Sequence, residues 1–144
     1  MTENPNLHFR NKHPRDAAPD PRIEASLQEV ARSGEVTCAA AHGIARRLGV
    51  LPADVGRNMD LIGFRIARCQ LGLFGYRPNK RIAQPAENVS PETEARIRAV
   101  LVEGRLSCID AWEAAEALGL KRLSLAEACE ALKIRIVNCQ LGAF

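Results

Sequence analysis

The chain has 144 residues, of which 47% are apolar, 26% charged and only 4% aromatic, a balance that excludes a disordered polyelectrolyte and predicts a packed globule. No apolar run approaches the roughly 20 residues that a membrane-spanning helix needs, and the opening MTENPNLHFRNKHPRDAAPDP lacks the apolar core of a secretory signal. Five cysteines in no close pairing pattern then fit reduced thiols in a cytoplasm, while a net charge of +3 decides nothing alone.

In chain order, residues 1–19 are polar and are expected to be a disordered tail. A first helix opens at Asp20-Pro21, an N-cap side chain followed by a proline whose missing N–H costs nothing at the first helical position. Ile23, Leu27, Val30 and Ala31 recur on one face, and Gly34 is placed to end the helix in the left-handed conformation. A second helix starts after Thr37, buries Ala41, Ile44, Ala45 and Leu48, and closes at Gly49. A third covers residues 52–62, with Val55, Met59 and Ile62 inward. The period then changes: Phe64 and Ile66 alternate as in a short strand, which runs into the segment CQLG at Cys69–Gly72. Residues 75–89, with Arg77, Lys80, Arg81 and two prolines, read as a linker that forms a short wing or hairpin return, or only a tether.

From residue 90 the series starts again. Laid on residues 90–144, residues 20–74 match without a gap at 17 of 55 positions, where ordinary residue usage gives about 4. Among the identical pairs are Pro21 with Pro91, Gly34 with Gly104, Cys38 with Cys108, and Cys69-Gln70-Leu71-Gly72 with Cys139-Gln140-Leu141-Gly142. Ser90-Pro91 repeats the first cap. Ser107 repeats the second, with Asp110 in a partial capping box, and Ser124 with Glu127 offers another box for the third helix. Ile134 and Ile136 repeat the strand. The expected fold class is mainly α with short β strands, a tandem duplication of a three-helix unit followed by a strand. Each copy has a small core, so the two are expected to pack as one pseudo-twofold body, or as a homodimer.

Residues 41–60, AHGIARRLGVLPADVGRNMD, resemble the helix-turn-helix of bacterial transcription regulators. Ala45 is small where the helices cross, Gly49 makes the turn, Val50 plugs the core, and Val55 packs back from the next helix. Ala115, Gly119, Leu120 and Leu125 repeat the set, and the strand after the third helix adds a similarity to winged variants. The resemblance implies DNA binding by the third helix. Asn58 departs from the motif, which usually has an apolar residue there, so that helix is expected to be rotated or used differently.

Charge separates the copies. Between residues 44 and 81, Arg46, Arg47, Arg57, Arg65, Arg68, Arg77, Lys80 and Arg81 face only Asp54 and Asp60, eight basic residues against two acidic ones and a net of +6. Residues 90–144 hold seven basic and eight acidic residues, a net of −1. Clustered cations release counterions from phosphates, the main source of non-specific nucleic-acid affinity. The first copy is therefore the expected DNA binder, with Arg57 toward a base edge or phosphate and Arg46 and Arg47 on the backbone. The plainer alternative is a solvated helix face.

Cys38, Cys69, Cys108 and Cys139 recur in both copies, and His42 lies one turn beyond Cys38. A thiolate zinc site is conceivable from these residues, but no two cysteines have the close spacing of structural zinc sites, and Trp112 replaces His42. Buried thiols acting as small apolar groups are the expectation, with neither metal nor cofactor. Two of the three histidines, His8 and His13, fall in the tail, and no catalytic motif appears, so no enzyme is expected. The competing readings are a non-catalytic protein-interaction scaffold and a thiol-based metal or redox sensor.

Overall fold

The computed structural model describes residues 5–15 and 17–144. The fold is mainly helical with a few short strands, and the chain divides into two compact units. One is the described part of Met1–Arg68 together with Leu141–Ala143; the other is Cys69–Gln140 with Phe144.

In the first unit a 3₁₀ helix, Pro5–Lys12, precedes α1 (Pro21–Val30), β1 (Glu35–Thr37), α2 (Cys38–Leu48), α3 (Pro52–Ile62) and β2 (Arg65–Ala67). The expected caps are made. The Asp20 carboxylate accepts the Arg22 N–H at 2.8 Å, with Pro21 at the first helical position, and this bond is the main cause that lowers the Asp20 pKa. Thr37 Oγ1 accepts the Ala40 N–H at 3.1 Å. Ile23 and Leu27 of α1, Ala41, Ile44 and Ala45 of α2, and Val55 and Met59 of α3 meet in a core at 3% exposure or less, the inward stripe that the helical period predicts.

Three departures have simple causes. Gly34 has the expected left-handed φ of 75°, but it does not cap α1. The helix stops at Val30 and Ala31 turns extended. Ser33 (φ 53°) and Gly34 then form a two-residue turn closed by paired bonds between Arg32 and Glu35, and two positive φ values in such a loop are what a tight hairpin needs. The second departure is β1, too short at three residues to announce a period in the sequence. It pairs in parallel with β2, Val36 opposite Ile66, with α2 and α3 as the crossover that a parallel pair requires. The third concerns residues 1–19, whose described part is not the expected disordered tail. The 3₁₀ helix packs on α3, and Asp60 accepts from His13 Nε2 at 2.8 Å and from Lys12 Nζ at 3.0 Å. Residues 1–4 and 16 of that segment lie outside the described residues.

The second unit repeats the order as α4 (Pro91–Ala99), β3 (Leu106–Ser107), α5 (Cys108–Leu118), α6 (Arg122–Ala131) and β4 (Ile136–Val137). β3 and β4 are again parallel, Leu106 opposite Ile136. Its core joins Ile97, Leu106, Ala111, Ala115, Leu125 and Cys129 with Leu71. Ser90 and Ser107 cap α4 and α5 as expected. Ser124 does not cap α6, because that helix already begins at Arg122 after Lys121. Left-handed residues recur at the same offset of 70: Ser33 and Glu103, Gly49 and Gly119, Gly63 and Lys133, Arg68 and Asn138.

The linker holds a short hairpin return. Tyr76 and Lys80 bridge across a small loop, and the Tyr76 hydroxyl donates to the Cys69 carbonyl at 2.6 Å. The stretch then runs along α6. The Gln84 N–H donates to the Glu127 carboxylate at 3.0 Å, the Ala86 N–H donates to the Glu127 carbonyl, and Arg81 pairs with Glu130. This covering of the third helix matches the first unit. There, the acid 70 residues before Glu130 is Asp60, held by Lys12 and His13. The structural repeat is thus longer than the one that residue identities reveal.

Candidate nucleic-acid interface

In the first unit α2 and α3 are joined by a tight turn at Gly49. Ala45, 3% exposed, lets α2 and α3 approach. Gly49, at φ 67°, turns the chain out of α2, and the Val50 N–H closes the turn on the Ala45 carbonyl at 3.0 Å. The Leu51 N–H is taken up by the Asp54 carboxylate at 3.1 Å, an acid in the first turn where the helix dipole favours it.

Asn58 turns out to be a core residue. At 1% exposure, its Oδ1 accepts the Asp20 N–H at 2.6 Å and its Nδ2 donates to the Asp54 carbonyl at 2.8 Å. The amide ties the start of α1 to α3, a bond that an apolar residue cannot make. Its counterpart Ala128 is buried as well.

The eight basic candidates divide. Arg46, Arg47, Arg57, Arg65 and Arg68 lie in the first unit, and Arg77, Lys80 and Arg81 in the second. All eight are exposed. Arg46 ends α2, where a cation complements the helix C-terminus. Arg47 is partly committed, since its Nη2 donates to Ser26 Oγ of α1 at 2.9 Å. Arg57 stands outward on α3 with 53% of its side chain exposed, 3.9 Å from Asp54, a surface pair too loose to hold it. Arg65 opens β2, and Arg68 follows it at φ 52°. In the second unit Arg81 is spent on Glu130.

The open face of α3 is narrow. Gly56, Asn58, Met59 and Leu61 are buried, and a side chain at Gly56 would run into the Leu141 carbonyl. Asp60 is held by the N-terminal segment. Ala53 and Arg57 are the exposed positions of the helix. α6 has no exposed position, because the linker lies on it. Glu127, the counterpart of Arg57, faces that linker.

The thiols are free. Cys38, Cys69, Cys108 and Cys129 are buried and Cys139 half-buried, in keeping with the apolar-group reading. Burial raises the Cys69 and Cys108 thiols and pushes Cys129 up to about 11. Cys38 and His42, itself buried, belong to the first unit; Cys69, Cys108 and Cys139 belong to the second. Among the described residues no group of three or more His, Cys, Asp or Glu side chains is placed to hold a metal ion. The CQLG glutamines have local partners that the sequence did not announce. Gln70 accepts from Arg122 at 3.0 Å while that guanidinium stacks 3.6 Å over Trp112, and Gln140 donates to Cys108 Sγ at 3.4 Å. No helix of the described residues is long and apolar enough to cross a membrane.

Comparison with known proteins leaves the reading to the residues themselves: no family model matches the chain, and no curated protein or solved structure does.

Proposed function

We propose that the chain binds nucleic acid, double-stranded DNA in the first instance, through the helix-turn-helix of its first unit, as a small regulator or accessory factor. The observation that carries this reading is the pair Arg46 and Arg57, both exposed, one on each helix of a Gly49 turn of the right build. Arg65 and Arg68 add exposed charge in the same unit. Phosphate contacts supply the affinity. With Ala53 and Arg57 as the exposed positions of α3, few base edges can be read at once, so the binding is sequence-tolerant. The second unit supports rather than reads, since α6 lies under its linker and carries Glu127 in place of Arg57.

The test is a binding titration on mixed-sequence duplex at several salt concentrations. Affinity is expected to fall steeply as salt rises, and Arg57→Ala to weaken binding by about 1–3 kcal/mol for a base contact, less for a lone phosphate contact. Glu127→Ala should leave affinity nearly unchanged. Undetectable binding to both duplex and single strands at low salt would remove the proposal and leave the interaction scaffold.

A further inference from the structure

The outer faces of α2 and α5 occupy the same place in the two copies and differ in charge. Along α2, Ala39, Arg46 and Arg47 are exposed, Arg47 being bonded to Ser26, and Gly43 is half-buried between them; half-buried Val50 and exposed Leu51 follow in the turn, and the helix contains no acid. Seventy residues on, Ile109, Glu113, Glu116 and Leu120 form one outward stripe at helical spacing, and α5 contains no basic residue. Ile109 is 50% exposed, Leu120 37% and Leu51 67%, so an apolar residue stands at each end of the acidic stripe and one closes the basic one. Space beside Gly43 is open, with nothing within 4 Å of where a Cβ would be. Among the described residues, none of Arg46, Glu113 and Glu116 has an ion-pair partner.

We infer that the α5 face of the second unit is a docking surface for the α2 face of the first unit on a second copy of this chain. Glu113 and Glu116 would meet Arg46, Ile109 or Leu120 would settle over the flat surface at Gly43, and the other apolar end would meet Val50 and Leu51. The occupant follows from charge. An acidic helix repels nucleic acid, and this chain carries the complementary basic helix on its own surface. The contact joins two different surfaces, the α5 face of one copy and the α2 face of another. One helix pair covers less than the roughly 1,200 Å² of a stable complex, so the association belongs to high protein concentration and low salt. It does not rest on nucleic-acid binding, although both partners would use Arg46 and so compete.

Sedimentation of the full chain without nucleic acid, from micromolar to near-millimolar concentration at low and high salt, tests the inference. The expected result is a weight-average mass that rises with concentration at low salt and returns to that of the monomer at high salt. Arg46→Glu and Glu116→Arg alone should each leave a monomer with an unchanged helical circular dichroism spectrum. The double variant, with the two charges exchanged, should regain the association, as should a mixture of the two single variants. A wild-type monomer throughout at low salt overturns the inference, as do single variants that associate normally or folded double variants and mixtures that stay monomeric. Since the measurement contains no nucleic acid, its failure leaves the DNA reading standing, and the failure of DNA binding leaves this one.

Discussion

Asn58 shows how much one buried polar side chain can specify. Its amide satisfies the N–H of Asp20 and the carbonyl of Asp54 at once, and alanine in its place leaves the inward-facing N–H of Asp20 without that acceptor. Asn58→Ala is expected to cost about 1–3 kcal/mol in a denaturant titration, the penalty for an unmet buried hydrogen-bonding group; a loss below half a kcal/mol would mean that water replaces the bond without penalty. Cys129 makes a prediction in pH. Burial pushes its thiol from 9.0 to about 11 in the folded chain, so the native state holds the proton more tightly than the unfolded one. The associated stability is complete below pH 9 and is lost as pH rises toward 11, about 2–3 kcal/mol in all. Cys69 and Cys108 act in the same direction. Over pH 9–11 the decline in stability should be shallower in Cys129→Ala than in the parent, whatever the cavity itself costs. Parallel declines would contradict this account.

At the scale of an element, α3 has a buried back, a narrow exposed strip and two covered edges. Glycine inside a helix ordinarily costs about 1 kcal/mol relative to alanine. At Gly56 the sign should invert, because the alanine Cβ would overlap the Leu141 carbonyl and backbone must move to admit it. Gly56→Ala is expected to lower the melting temperature, with a loss of about 1–3 kcal/mol typical of overpacking. A stabilised variant would show that residues 141–143 do not lie against α3. The α2 and α3 helices, the Thr37 cap and the Gly49 turn were legible in the sequence, because each depends on neighbours within four residues. The covering of α3 and α6 by the segments that precede each repeat was not. Lys12 with Asp60 and Arg81 with Glu130 are pairings of 48 and 49 positions, between segments that share no identity with each other.

At the scale of the molecule, the boundary between the copies is not the boundary between the units. Leu71, which the sequence assigns to the first copy, lies in the core of the second unit at 0% exposure. Leu141, assigned to the second copy, belongs to the first unit at 2%. A change at the far end of the chain should therefore be felt in α3 of the first unit. Leu141→Ala is expected to cost about 2–5 kcal/mol and to speed hydrogen exchange in α3 while leaving α6 protected. Exchange that rises in α6 instead would refute the assignment.

What the sequence determined by itself is the set of things that short-range chemistry decides. Caps at Asp20, Thr37, Ser90 and Ser107, the left-handed Gly49 and Gly119, the apolar stripes and the 70-residue duplication all act through neighbouring residues or through identity, so they can be read from the sequence. The tertiary structure alone decided which unit each CQLG segment completes, that Asn58 is core, that β1 exists, and which arginines remain free to meet a partner. Arg81 and Arg57 look alike in the sequence. One is paired with Glu130, 49 residues on, and the other stands in solvent in a loose pair with Asp54 at 3.9 Å, because the packing of remote segments decides which charges are covered and which are left at the surface.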